Sequence, residues 1–279
     1  MKQFTDKVAV ITGSASGIGL ALARRCAAEG MHLAMADIEE APLAAAAGEL
    51  RAAGAKVLAV KTDLSKSKEV ERLAAQTLDA YGGVHLLFNN AGVGGVRVKS
   101  WEATERDWQW VLGANLWSVI HGVRVFTPIM LEQGAEGHIV NTASVAGFIS
   151  VGTSAPYAVS KHSVVALSET LYHELQADGA KLGVSVLCPA WVNTNIWNAQ
   201  RNRPAELQDH ADTEAERARR EEVRKVLAKG RVSATDVADM TFEAIIAERF
   251  YIFPHRKIRR DIQTRMEDIL ELRNPTRSA

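Results

Sequence analysis

Short apolar runs alternate along this chain with longer stretches in which apolar residues return at every third or fourth position. The runs fall at residues 8–11, 32–36, 56–60, 84–88, 138–142 and 184–187. A run apolar on both faces marks a strand covered on both sides. The stretches between them, 20–29, 39–53, 67–81, 101–133 and 156–178, carry a helical period. Strands and helices in alternation predict βαβ units, a parallel sheet with right-handed crossovers, and an α/β architecture.

In such a sheet ligands bind beyond the carboxyl ends of the strands, and the chemistry-bearing residues collect there. The first run leads into Thr12-Gly13-Ser14-Ala15-Ser16-Gly17-Ile18-Gly19. Glycines at these places allow a tight turn, close backbone approach to a pyrophosphate, and close helix–strand packing, while the next helix offers its N-terminal N–H groups to the phosphates. The second run ends at Asp37, twenty residues beyond Gly17, the offset of an acid that binds the adenosine ribose diol. The same carboxylate also suits the N-cap of the helix after it. Asp63, Asn90, Ser144 and Pro189 stand just past the ends of four further runs.

Pro156-Tyr157-Ala158-Val159-Ser160-Lys161 opens the helix at 156–178. Proline suits a first helical turn, and Val164, Leu167, Leu171 and Leu175 continue the apolar stripe. Tyr157 and Lys161 are one turn apart on one face. Tyrosine, with a pKa of about 10, needs a nearby cation to act as an acid–base group near neutrality. Lys161 is placed to lower it, although the spacing alone also describes a chance surface pair. Asn115, inside the stretch 101–133, is a poor helix-interior residue. It marks either an exposed position or a place where the helix opens for a polar task.

Composition narrows the function classes. Nearly half of the 279 residues are apolar, and 33 Lys plus Arg balance 33 Asp plus Glu. No global field favours nucleic acid or an anionic membrane. Cys26 and Cys188 form no disulfide framework or metal spacing, and Cys26 extends the stripe Ile18, Leu22, so a buried thiol in a reducing cytoplasm is expected. No signal-peptide core or membrane span is apparent. No His-Glu-x-x-His pair occurs, and His162 and His173 lack neighbouring ligands, so no metal is expected.

On the glycine turn, Asp63, Asn89-Asn90-Ala91-Gly92, Asn115, Ser144, Tyr157 with Lys161, and the segment Pro189 to Thr194, the chain resembles the short-chain dehydrogenase/reductase family. The resemblance covers about residues 5 to 195. It implies a Rossmann-type, doubly wound, parallel seven-stranded sheet of order 3-2-1-4-5-6-7 in a single domain, with a last strand at 249–253, and hydride transfer between a nicotinamide cofactor and an alcohol. It further implies that Tyr157 is the acid/base, that Ser144 fixes the substrate oxygen, and that Asn115 holds a water leading from Lys161 to solvent. Gly13, Ser16, Gly17, Ile18, Gly19, Asp37, Asp63, Leu64, Asn90, Tyr157, Lys161, Val192 and Thr194 would hold the cofactor. One departure is Ala190, where the family has glycine; an alanine restricts the backbone there.

Asp37 should accept from the ribose of NAD and repel a 2′-phosphate, so NAD is expected over NADP. Residues 191–231 are too long for a simple connection and predict a helical substrate lid. Its apolar start, Trp191 with Trp197, faces Val145, Phe148 and Ile149 in this reading. The pocket would suit a small lipophilic secondary alcohol or ketone, anchored by Ser144 and Tyr157; alternatively the tryptophans only pack the lid onto the body. The basic run 255–260 lies over a stripe of Ile258, Ile262, Met266 and Ile269, and predicts a docked C-terminal helix and tail over 255–279. Apolar positions on the two long helices (Leu112, Leu116, Val119 and Val123; Ala158, Val165 and Leu171) predict a homo-oligomer, a dimer or tetramer. Two alternatives stay open: an NADP-dependent carbonyl reductase, and a non-catalytic protein that binds NAD to sense redox state.

Overall fold

In the computed structural model, which describes residues 1–150, 152–209 and 213–276, seven parallel strands form one sheet of order β3-β2-β1-β4-β5-β6-β7. They are β1 (Val8–Thr12), β2 (His32–Asp37), β3 (Val57–Lys61), β4 (Leu86–Asn89), β5 (Gly137–Thr142), β6 (Leu182–Leu187) and β7 (Tyr251–Ile252). The expected architecture and strand order are therefore the observed ones. β1 is central: Val10 lies opposite Ala34 on one side and Leu87 on the other. Every residue of β1 is buried because both faces are covered.

The period of two in each strand divides the core into two layers. Ala9, Ile11, Leu33 and Met35 pack with helices α1 (Gly17–Ala28), α2 (Glu40–Ala52) and α8 (Ala234–Ile246), through Leu22, Leu43 and Phe242. Val10, Ala34 and Ala36 face α3 (Ser67–Tyr81), α5 (Ser118–Gln133) and α6 (Ala155–Ala177), through Leu73, Phe126 and Leu171.

The stretch expected as one helix over 101–133 is broken. α4 (Glu105–Leu112) begins four residues late because Thr104 caps it, accepting from the Asp107 N–H while the Asp107 carboxylate accepts from the Thr104 N–H. Between α4 and α5 a π-helical turn spans Gly113–Trp117, a widening common at functional sites. Asn115 sits in it, fully buried, so the open-helix reading holds and the exposed one does not. β7 is shorter than 249–253. Its neighbours still bond to β6, with the Val186 N–H donating to the Phe250 carbonyl at 2.7 Å.

Residues 191–231 contain two short 3-10 segments, Asn195–Asn202 and Ala205–Leu207, then α7 (Glu214–Ala228); residues 210–212 of this stretch lie outside the description. Buried Arg203 fixes the stretch to α4: its Nη1 meets Asp107 at 2.7 Å and its guanidinium lies 5.1 Å over the Trp110 ring. α9 (Ile258–Leu270) begins within the basic run, and its stripe is docked only in part: Ile258 and Ile262 are half-buried, Met266 and Ile269 are exposed, and Asp268 is its buried residue. Asp268 accepts from the Thr276 N–H and pairs with Arg273, which turns the chain end back on the helix; residues 277–279 of the expected tail lie outside the description. Of the seven apolar positions expected to form an oligomer surface, Leu112, Leu116 and Val123 are half-buried and the other four are covered. Val119, Ala158, Val165 and Leu171 are buried within the chain, while Trp117, Leu131 and Val159 are the exposed ones on those helices.

Candidate active site

A cleft of about 510 Å³ runs along the carboxyl ends of the strands. It begins at the glycine turn. Gly13 and Gly17 take φ values of +65° and +57°, which side-chain-bearing residues rarely adopt. A methyl at Gly19 would lie 2.0 Å from the Gly13 carbonyl oxygen, so α1 rests directly on the turn. Ser16, at the N-cap of α1, makes no side-chain cap. The first N–H groups of the helix therefore have no side-chain acceptor, as an anion site requires, and Gly17 and Ile18 line the cleft.

Asp37 closes the far side of this turn. Its two carboxylate oxygens accept from the N–H groups of Ala15 and Glu39, each at 3.0 Å. Burial raises its pKa, and those N–H groups oppose the rise. The N-cap of α2 is Glu39, so the capping role considered for Asp37 is not the one it takes. Asp63 is held by Ser65, whose hydroxyl donates at 2.6 Å, and by Lys66 at 3.0 Å. Asn90 donates to the Thr12 carbonyl at 3.0 Å, while the Thr12 hydroxyl accepts the Asn90 N–H at 2.8 Å. These contacts lock the β4 loop to β1.

At the other end stand Ser144, Tyr157 and Lys161. Ser144 follows β5, accepts from the Ala146 N–H at 3.2 Å and donates to the Pro189 carbonyl at 3.3 Å. Lys161 is almost fully buried; its Nζ donates to the Thr142 carbonyl at 2.9 Å and lies 5.8 Å from the centre of the Tyr157 ring. Burial lowers the lysine pKa to about 8, with the neighbouring Cys188 opposing. The tyrosine departs from expectation. Burial raises its pKa above the ordinary 10, and the groups that favour its anion are a hydrogen bond with Ser144 and the charge of Arg97. Desolvation of a phenolate outweighs a lysine that points at a backbone carbonyl.

Asn115 is spent on the backbone. Its Oδ1 accepts from the Val93 N–H at 2.7 Å, and its Nδ2 donates to the Val93 carbonyl and the Ser160 hydroxyl. A methyl on Gly92 would meet Asn115 at 3.0 Å and the Lys161 Nζ at 3.5 Å, so glycine keeps the space between them open.

Of the residues singled out from sequence, Gly13, Ser16, Gly17, Ile18, Asp37, Asp63, Leu64, Asn90, Ser144, Val145, Tyr157, Lys161, Trp191, Val192, Thr194 and Trp197 all line the cleft. Three do not. Gly19 and Asn115 lie behind it, and Phe148 turns away. The Phe148 ring packs edge-on against Tyr251 and Phe253, at 5.9 and 5.3 Å, because β7 offers an aromatic shelf on that side. Ile149 lines the wall in its place.

Glu39, Arg97, Trp110 and Arg201 also line the cleft but do not stand out in the sequence. His255 stands outside the cleft and holds the loop after β6 through Ala190 and Trp191. Ala190 has no positive φ, so the methyl in place of the family's glycine adds no left-handed strain. Among the described residues no metal-binding cluster occurs, and no helix is long and apolar enough to cross a membrane.

The sequence pattern of the short chain dehydrogenases matches residues 7–205. The chain belongs to the short-chain dehydrogenase/reductase family. A short-chain dehydrogenase/reductase from Burkholderia phymatum, solved in complex with NAD, shares 49% identity and superposes with a TM-score of 0.96, over 100% of this chain and 99% of that one. A CLA biosynthesis dehydrogenase/reductase of Lactiplantibacillus plantarum is 33% identical, over 97% of this chain and 95% of its own length. A 1-deoxy-11-beta-hydroxypentalenate dehydrogenase of Streptomyces exfoliatus is 36% identical, over 94% and 88%. The uncapped helix end, the glycine turn and the Asp37 carboxylate fit a nicotinamide dinucleotide, the cofactor class of this oxidoreductase family.

Proposed function

We propose that this short-chain dehydrogenase/reductase transfers hydride between NAD and a lipophilic secondary alcohol or its ketone, with Tyr157 as the acid/base. The observation that carries this reading is one continuous cleft, with Asp37 and the uncapped α1 N-terminus at one end and Ser144 and Tyr157, with Lys161 beside the tyrosine ring, at the other. When bound, the nicotinamide ring supplies the hydride acceptor or donor. The rest falls to this chain. Gly13, Ser16, Gly17 and Ile18 hold the pyrophosphate, Asp37 the ribose diol, and Asp63, Leu64 and Asn90 the adenosine side. Val192 and Thr194 border the carboxamide, and Lys161 holds the second ribose.

The Ser144 hydroxyl donates to the substrate oxygen and fixes its place; the Tyr157 hydroxyl gives that oxygen its proton in reduction and takes it in oxidation. Depression of the Lys161 pKa keeps its ammonium readily deprotonated, which suits a proton path away from Tyr157. Asn115 shapes that path by pinning Val93, a positioning role. The greater part of the cleft wall is apolar, with Val145, Ile149, Trp191 and Trp197 in it, and the segment Asn195–Asn202 with Arg219, Arg220 and Val223 of α7 borders it as a lid. The named activity of the Streptomyces relative on a hydroxylated compound supports an alcohol substrate.

Replacing Tyr157 with Phe keeps the ring and removes the proton carrier. Turnover should fall at least about 100-fold while NAD affinity, read by titration, stays within about threefold. Substantial turnover by this variant would remove Tyr157 from the mechanism. The exposed Trp117, Leu131 and Val159 suit a contact between copies of the chain, and a monomer mass by light scattering at micromolar protein would exclude the oligomer.

A further inference from the structure

Two residues beyond Asp37, Glu39 grips an arginine from a distant part of the chain. The Arg201 Nε donates to Glu39 Oε1 at 2.9 Å and its Nη2 to Oε2 at 2.6 Å, a two-point fork across 162 residues of sequence. The third nitrogen, Nη1, donates to the carbonyls of Asn195 and Asn198 at 3.2 and 2.8 Å. Every guanidinium nitrogen thus has an acceptor within the protein. The Glu39 side chain is 20% exposed and that of Arg201 29%, so water screens the pair only in part.

The pair sits where the ribose acid works. The Glu39 N–H is bonded to Asp37 Oδ1, and Asp37, Glu39 and Arg201 line the same part of the cleft. An arginine near the ribose acid is the group that accommodates a 2′-phosphate, and its planar fork matches phosphate as well as carboxylate. This chain therefore carries the cation that an NADP site needs, with its fork already filled.

We propose that Glu39 is a cofactor-specificity residue: by occupying Arg201 it denies a 2′-phosphorylated dinucleotide its cationic partner, and it fastens the Arg201 end of the segment Asn195–Asn202 beside Asp37. The hydrogen bond from Arg201 holds the Glu39 carboxyl below the usual carboxylate range. Rejection of NADP then has two components, the Asp37 charge and an arginine kept engaged. The inference rests on the reading of Asp37 as the ribose acid.

The test is calorimetric titration of NAD⁺ and NADP⁺ into the wild type, Glu39→Gln, Arg201→Ala and the double variant, with far-ultraviolet circular dichroism melts to establish folding. Glu39→Gln should tighten NADP⁺ about tenfold, the value of one freed charge-assisted contact, and change NAD⁺ by less than about threefold. The double variant should lose that gain. Arg201→Ala alone should bind NADP⁺ no better than the wild type. A Glu39→Gln protein without the gain, a gain that survives in the double variant, or a gain in Arg201→Ala would each overturn the proposal. A wild type that binds NADP⁺ as tightly as NAD⁺ would instead overturn the ribose reading of Asp37. The two failures are thereby separated.

Discussion

His255 accepts the backbone N–H of Ala190 through its Nδ1 at 3.1 Å. Its other nitrogen reaches the carbonyl of Trp191 at 3.2 Å. One imidazole, from the start of the C-terminal region, thus clamps the loop that follows β6, the same loop whose Pro189 carbonyl accepts from Ser144. Because Nδ1 must accept, the ring is the neutral tautomer with hydrogen on Nε2.

This clamp is pH-sensitive, with a definite sign. Burial lowers the His255 pKa below the ordinary 6.5, against the raising effect of the Trp191 carbonyl. A depressed histidine pKa means that the folded protein binds fewer protons than the unfolded chain. The stabilisation is therefore fully present above about 6.5 and is lost as pH falls through the lowered value. His255→Ala should cut kcat/KM about tenfold, equivalent to one lost hydrogen-bonded contact, and should remove the acid limb that the lowered His255 pKa predicts for the wild type. Initial rates from pH 5 to 8 check this; identical profiles would show that the clamp does not bear on the site.

The Arg203–Asp107 pair gives the second prediction. Both side chains are under a tenth exposed, so removing the arginine strands a buried carboxylate. Arg203→Met keeps the apolar contact with Trp110 but should destabilise the protein by about 3 kcal/mol. The Thr104 cap on α4, which uses the other Asp107 oxygen, should persist. A thermal melt measures the loss, and hydrogen exchange should show residues 195–209 opening before the sheet. An unchanged melting temperature would mean that the segment is held by other contacts.

The third prediction concerns substrate choice. Trp197 lines the cleft, with Arg224 5.9 Å from the centre of its ring on the outer side. Trp197→Ala removes apolar wall without touching Ser144 or Tyr157. KM should rise about tenfold or more for bulky apolar alcohols, the value of roughly half a buried aromatic side chain, and change little for small ones. Equal effects on both classes would indicate that Trp197 only packs the lid onto the body, and a best substrate that is small and highly charged would contradict the apolar pocket.

What the sequence determined by itself is the frame and the shared chemistry. Apolar runs spaced by helical stretches dictate a parallel sheet, because a strand buried on both faces must be apolar throughout while the helices covering it are apolar on one side. The places of the glycine turn, Asp37, Ser144, Tyr157 and Lys161 along the cleft were legible for a related reason: they depend on local geometry, a positive φ, a helix turn or a strand end, which short motifs encode. What the tertiary structure alone decided depends on partners far apart in the chain. The π-helical turn at Asn115 follows from its bonds to Val93, the outward turn of Phe148 from an aromatic shelf on β7, and the raised tyrosine pKa from burial that no spacing reveals. Glu39 with Arg201, Arg203 with Asp107, and His255 with the Ala190 backbone pair groups whose partnership no local motif encodes. They become specific only because the fold brings each to within hydrogen-bond distance of the other, where desolvation makes the pairing matter.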